Sequence, residues 1–235
     1  MKFPTPTPLA VGSVITRPGL RQLARAVAPA DVVEVRVDAL LAAKVPLVEI
    51  EAMLEKRRHP VLLTLRIPAE GGKRAWTVAE RRKTFLRLLP HVEAVDLELA
   101  AAGGLKPVAE AARRLGKTLV LSAHAIERPA TPAQFAKWTA GYQPGEKTIL
   151  KIAARIGSWR DLQHLAAVLV NHPDWPVAVM GLGPYAAQSR SVLTALGSKL
   201  VYGYLDQPAA PGQPSAQEVR KMIEAVRSAR LASSR

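Results

Sequence analysis

One lysine sits inside one of the most apolar stretches of the chain: Lys151, in Ile149–Leu150–Lys151–Ile152–Ala153–Ala154. Taking an ammonium out of water is costly, so burial favours the neutral amine, a nucleophile towards carbonyl carbon. A strand-edge lysine that carries its charge out to solvent is the alternative that the same residues allow. His124 directly follows another apolar run, in Leu121–Ser122–Ala123–His124, one strand before the lysine. An imidazole there can move protons in either direction near neutral pH. The other histidines, His59, His91, His164 and His172, fall at helix ends or before Pro60 and Pro173 and read as solvated surface. No His, Asp or Glu spacing resembles a metal site, and no metal is expected.

Charges within other apolar runs carry the same kind of information. Glu34, Arg36 and Asp38 alternate with Val35 and Val37, so a strand through them presents all three on one face. The third strand is expected to end at Arg66, and Asp96 and Glu98 stand two apart in the fourth. Such groups build either a polar site or a layer of ion pairs filling the interior; their clustering at strand ends favours the site. Later, Gly181 and Gly183 precede Ser189–Arg190, and Ala209–Ala210–Pro211–Gly212–Gln213 follows the last apolar run. Glycine lets a ligand approach the backbone, and Arg190 offers a planar fork to a carboxylate or phosphate. Each stretch is equally a helix start with turn residues. Together with Lys151 they point to a small anionic carbonyl compound.

The elements that must position these side chains follow from the period of hydrophobicity. Short runs rich in Val, Ile and Leu occupy Leu9–Thr16, Val32–Asp38, Val61–Ile67, Val95–Leu99, Thr118–Ser122, Ile149–Ala153, Val177–Met180 and Leu200–Tyr204. Amphipathic stretches such as Pro46–Arg58, Thr77–Leu89, Asp161–Asn171 and Ser215–Leu231 lie between or after them. Eight strands alternating with eight helices close a (β/α)8 barrel (TIM barrel), here a single α/β domain over residues 1–235. An open doubly wound sheet is the rival, but Arg17–Arg21 stands where its Gly-rich phosphate loop belongs. A barrel gathers functional residues at the C-terminal ends of its strands. Pro4, Pro6 and Pro8 read as an extended lead-in, and the last few residues as a frayed tail.

Composition narrows the partners. Lys and Arg number 33 against 19 Asp and Glu, a net charge of +14. The basic residues are spread over Lys56–Arg58, Arg81–Lys83, Arg113–Lys117 and Arg220–Arg230, without interleaved aromatics or any finger, zipper or RNP pattern. Specific nucleic-acid binding is therefore not expected; the charge suits solubility and the drawing of small anions into a cleft. The absence of cysteine excludes a disulfide scaffold and a thiol nucleophile. No apolar run reaches the ~18 residues of a membrane span. Met1–Thr16 lacks the plan of a signal peptide, so a cytoplasmic protein without a membrane partner is expected.

Seven motifs in order resemble type I 3-dehydroquinate dehydratases, the Schiff-base enzymes of the shikimate pathway that leads to aromatic amino acids. They are Val33–Asp38, Thr64–Leu65–Arg66 with Glu70–Gly71–Gly72, Asp96–Leu99, Ser122–Ala123–His124, Lys151–Ile152–Ala153, Met180–Gly181 leading to Ser189–Arg190, and Ala210–Pro211–Gly212–Gln213. The resemblance implies that Lys151 forms the imine with 3-dehydroquinate, that His124 is the general acid and base, and that Glu70 orients it. It further implies that Arg190 pairs with the substrate carboxylate. Glu34, Arg36 and Arg66 then hold its hydroxyls and ring, Gln213 acts from a closing loop, and the protein is a homodimer without cofactor or metal. The chain departs from the family in Ala125, where an acidic residue is usual, and in Ala209, where a serine is usual. Glu127–Thr131 and the gap from Gly181 to Ser189 are slightly longer than in the family. Two other readings remain: a different Schiff-base lyase or aldolase of a small anionic carbonyl compound, and a catalytically weakened binding protein.

Overall fold

The computed structural model describes residues 7–25, 29–210 and 212–233; Pro4 and Pro6 of the expected lead-in, Pro211 and the last two residues of the expected tail lie outside them. The elements run β1 (Leu9–Val14), α1 (Arg17–Leu20), β2 (Val32–Arg36), α2 (Val37–Ala42), α3 (Leu47–Glu55), β3 (Val61–Thr64), α4 (Val78–Leu88) and β4 (Ala94–Glu98). They continue with α5 (Lys106–Arg114), β5 (Thr118–Ala125), α6 (Pro132–Ala140), β6 (Thr148–Arg155), α7 (Trp159–Asn171), β7 (Val177–Leu182), α8 (Ala186–Ala195), β8 (Leu200–Tyr204) and α9 (Ala216–Ser233). All eight expected strands form, and neighbours pair in parallel in the order β7-β6-β5-β4-β3-β2-β1-β8. The result is a (β/α)8 barrel, nearly closed, with its seam between β7 and β8.

The seam is sewn largely by side chains. At its lower end the Lys199 N–H donates to Val177 O at 2.8 Å, and the Val179 N–H donates to Ser198 Oγ at 2.9 Å. At its upper end Arg190 of α8 donates to Tyr202 O in β8 and, more weakly, to Gly181 O in β7.

Alternation along the strands builds two layers inside the barrel. The lower layer is apolar and includes Leu9, Val11, Val32, Leu62, Val120, Ile149 and Leu200. Above it register sets polar residues side by side: Ser13 opposite Glu34, Thr64 opposite Asp96, and Ser122 opposite Lys151. The intervening residues of the same strands face outward; Leu150 and Ile152 pack with Phe135 of α6 and Leu162 and Leu165 of α7. Among the described residues no helix is long and apolar enough to cross a membrane.

Four expectations change. The third strand, expected to end at Arg66, stops at Thr64 and leaves Arg66 in the loop that follows. The second strand stops at Arg36, where the backbone (φ −85°, ψ 83°) turns into α2, so Asp38 lies in a helical first turn and not on the strand face. Two helices therefore follow β2, and the alternation is not strict. The fifth and seventh strands run further than their apolar cores, so His124 and Gly181 lie within β5 and β7, not after them.

Candidate active site

The eight residues singled out from sequence, Lys151, His124, Glu70, Glu34, Arg36, Arg66, Arg190 and Gln213, all line one cavity at the C-terminal end of the barrel. Met180, Leu182, Ile126 and the Tyr202 ring supply its apolar wall. The remaining histidines lie elsewhere and are half-buried rather than fully solvated. His59 Nε2, for example, is 2.9 Å from Arg25 O, and His172 stacks on Trp175.

Lys151 is only 4% exposed, but it is not the isolated buried amine pictured from the sequence. Nζ lies 2.9 Å from Asp96 Oδ2 and 3.7 Å from Glu34 Oε1, and 4.2 Å above the Tyr202 ring. Register sets Lys151 beside Ser122 and Ser122 beside Glu98; Asp96 is the next inward residue down β4, and the tilt of barrel strands brings it within reach of Lys151 two strands away. Glu34 is fixed from both sides by the hydroxyls of Ser13 (2.7 Å) and Thr64 (2.9 Å).

Arg66 sits two residues beyond β3, buried, donating to Asp96 Oδ2 and Ser122 Oγ at 2.8 Å each and pairing with Glu98 at 3.0 Å. Ser122 in turn donates to the other oxygen of Asp96. Burial opposes ionisation of Asp96, but Arg66 and Lys151 outweigh it and hold the carboxyl far below the usual range. Arg36 is gripped by both oxygens of Asp38 at 2.9 and 2.8 Å. The same carboxylate accepts from the backbone N–H of Arg66 and of Lys73, tying α2 to the loop after β3.

That loop contains a 3-10 turn, Pro68–Glu70, closed by Gly71 at φ +90°, a conformation that glycine adopts without strain. Glu70 Oε2 meets His124 Nδ1 at 2.7 Å, which leaves Nε2 for a ligand in the cavity. Burial pushes the Glu70 carboxyl up to about 7; Arg66 and Lys151 oppose this, while Glu98 and Asp96 add to it. Burial, with Arg66 and Lys151 nearby, holds the imidazole well below its ordinary value. Near neutral pH the ring is therefore a free base leaning on a carboxyl group that exchanges its proton in the same range.

Arg190 is buried, and Nε and Nη1 donate to Tyr202 O (2.8 Å), Ala186 O (2.7 Å) and Gly181 O (3.3 Å). Its fork therefore also holds the seam, a role not evident from its sequence context. Burial draws the guanidinium down to about 10, so it remains a cation at neutral pH. Elsewhere in the interior the charges pair off: Glu34, Asp96 and Glu98 face Arg66, Arg81 and Lys151, and Asp38 faces Arg36. Among the described residues Arg190 has no carboxylate partner, and Nη2 is left for an anion from solution. Gly181 is less open than its sequence implies, since its N–H donates to Ser189 Oγ at 3.2 Å. Gln213 Oε1 accepts from the Ala209 N–H at 2.7 Å, a clasp within the loop after β8, and leaves its amide nitrogen for the cavity.

Asp96, a charge that the sequence already marks within a strand, completes the constellation with Ser122 and Tyr202, which it does not single out; a hydroxyl at an inward strand position is the signal that finds Ser122. A model of the family described as type I 3-dehydroquinase matches residues 14–229. This chain belongs to the type I 3-dehydroquinase family. Membership places it among the hydro-lyases. The 3-dehydroquinate dehydratase of Methanosarcina acetivorans is 32% identical over 209 residues, 83% of this chain and 85% of the relative. That of Hydrogenobaculum sp. is 30% identical over 199 residues, 83% of this chain and 88% of the relative. The crystal structure of a type I 3-dehydroquinate dehydratase from Clostridium difficile with covalent modified comenic acid matches with a TM-score of 0.81. That match covers 96% of this chain and 94% of the other at 18% identity, a likeness of fold.

Proposed function

We propose that this member of the type I 3-dehydroquinase family dehydrates 3-dehydroquinate to 3-dehydroshikimate through an imine on Lys151, with His124 carrying the protons. The observation that carries this reading is the convergence of Lys151, the Glu70–His124 pair and the unpaired Arg190 on one cavity. Nη2 of Arg190 receives the substrate carboxylate, and Arg36, Glu34, Arg66 and Gln213 bound the ring and its hydroxyls. With the ring fixed, one C–H bond beside the ketone faces His124.

The ε-amine, after passing a proton to a neighbouring group, adds to the ketone carbon, and loss of the carbonyl oxygen as water leaves an iminium. The iminium acidifies the adjacent C–H; Nε2 of His124 removes that proton and an enamine forms. The enamine expels the hydroxyl, which leaves as water with a proton from the same imidazole, and a conjugated iminium results. Water then hydrolyses the imine. One water is released on condensation and one consumed on release, so the net change is loss of one water from the substrate. Glu70 keeps the ring oriented while its proton comes and goes, and Ala209 and Gln213, bonded to each other beside the cavity, shield the imine from premature hydrolysis.

The test is a spectrophotometric assay of the purified chain with 3-dehydroquinate. Rising absorbance of the conjugated enone supports the reading, and no rise from folded protein overturns it.

A further inference from the structure

Arg81 belongs to a run, Arg81–Lys83, that reads as surface, yet the residue is only 3% exposed. It lies on the inward stripe of α4 with Thr84, Phe85 and Leu88, the i, i+3, i+4, i+7 positions that an amphipathic helix buries. From there it reaches through the barrel wall. Nε donates to Leu65 O at 2.8 Å, and Nη2 pairs with Glu98 Oε2. The other oxygen of Glu98 accepts from the Ile67 N–H at 3.1 Å and pairs with Arg66 at 3.0 Å.

The segment Leu65–Arg66–Ile67 is thus held by Arg81 directly at its first carbonyl and through Glu98 at its last N–H. It leads straight into the Pro68–Glu70 turn that presents Glu70 to His124. The position of the acid–base pair therefore depends on a contact made from the outer helix ring. A planar two-point fork is what such a contact needs, and a lysine ammonium cannot reproduce it.

We propose that Arg81 is a positioning residue for the reaction: bonded to Leu65 and Glu98, it fixes the turn carrying Glu70 and hence the orientation of His124. The inference rests on the function proposed above. The charged groups around the pair are Arg36 of β2, Arg66 after β3, Asp96 and Glu98 of β4, and Lys151 of β6. Removing the Arg81 charge leaves Glu98 a stronger anion towards Glu70, so the limb of the pH profile set by the pair moves to higher pH.

The test compares wild type, Arg81→Gln and Arg81→Lys for kcat, KM, the pH dependence of kcat and the ¹⁵N shifts of the His124 ring. Arg81→Gln is expected to lose on the order of ten- to a hundredfold in kcat, with KM changed less than about threefold. Its pH limb moves up and its His124 shifts move. Arg81→Lys keeps the charge but not the fork, so its limb returns towards wild type while kcat stays about tenfold low. A lower melting temperature with kcat, limb and ring shifts all unchanged in Arg81→Gln overturns the proposal. Should that variant fail to fold, wild-type kcat in Arg81→Lys overturns it. An inactive wild type counts against the proposed function instead, and the ring shifts still judge Arg81.

Discussion

Nζ of Lys151 in β6 lies 2.9 Å from Oδ2 of Asp96 in β4, across the whole width of β5. The same oxygen receives Arg66 at 2.8 Å, so one carboxylate sets the place of two cations. This arrangement aims the amine at the cavity and makes Asp96 the centre of the interior charge balance.

Asp96→Asn should therefore be costly. It leaves two buried cations short of their counter-ion, and breaking such a pair costs about 3–5 kcal/mol. Urea unfolding of wild type and variant measures the difference. A loss below about 1 kcal/mol would mean that the network tolerates two uncompensated cations.

Arg190→Gln removes the cation proposed to hold the substrate carboxylate. A charge-assisted hydrogen bond is worth about 1.5–3 kcal/mol, so KM for 3-dehydroquinate should rise about 10- to 150-fold with a smaller change in kcat. The variant should also melt earlier, because the carbonyls of Tyr202 and Ala186 lose their donor. Steady-state kinetics with calorimetry check both; an unchanged KM contradicts the role.

Stability should carry a pH signature from Glu70. Folding raises its carboxyl from 4.5 to about 7, so the folded chain binds that proton more tightly than the unfolded one. The contribution is fully present below about 4.5 and is lost as pH rises through about 7. Glu70→Gln lacks it. The melting temperature of wild type minus that of Glu70→Gln should thus grow as pH is lowered through this window, and parallel curves contradict the assignment.

Gly203→Ala tests the joint between β8 and α9. An added Cβ would stand 2.7 Å from the backbone of Ser215 and Ala216. Neither atom set can yield as a flexible side chain does, and overpacking of this kind costs about 1–3 kcal/mol. Denaturant midpoints measure it, and a neutral substitution contradicts the close approach.

Much of this is written locally. Lys151, Glu34 and Asp96 stand out because a charge within an apolar strand must find a partner, and the barrel follows from the order of its apolar runs. Strand ends are less legible. Polar alternation carries Asp38 onto the strand face, but nothing in it marks the turn at Arg36, and Ala123–His124–Ala125 hides a strand that β6 pairs with. The double engagement of Arg190 depends on the β7–β8 seam, which no local pattern encodes. Arg81 has a local signal, a charge on the buried stripe of α4, that its basic neighbours obscure.

The most direct test of the central claim is borohydride reduction of the chain in the presence of 3-dehydroquinate, followed by peptide mass mapping. The account predicts one covalent adduct on the peptide containing Lys151, carried by that residue. Active, folded protein that turns over substrate under these conditions with Lys151 unmodified would contradict it.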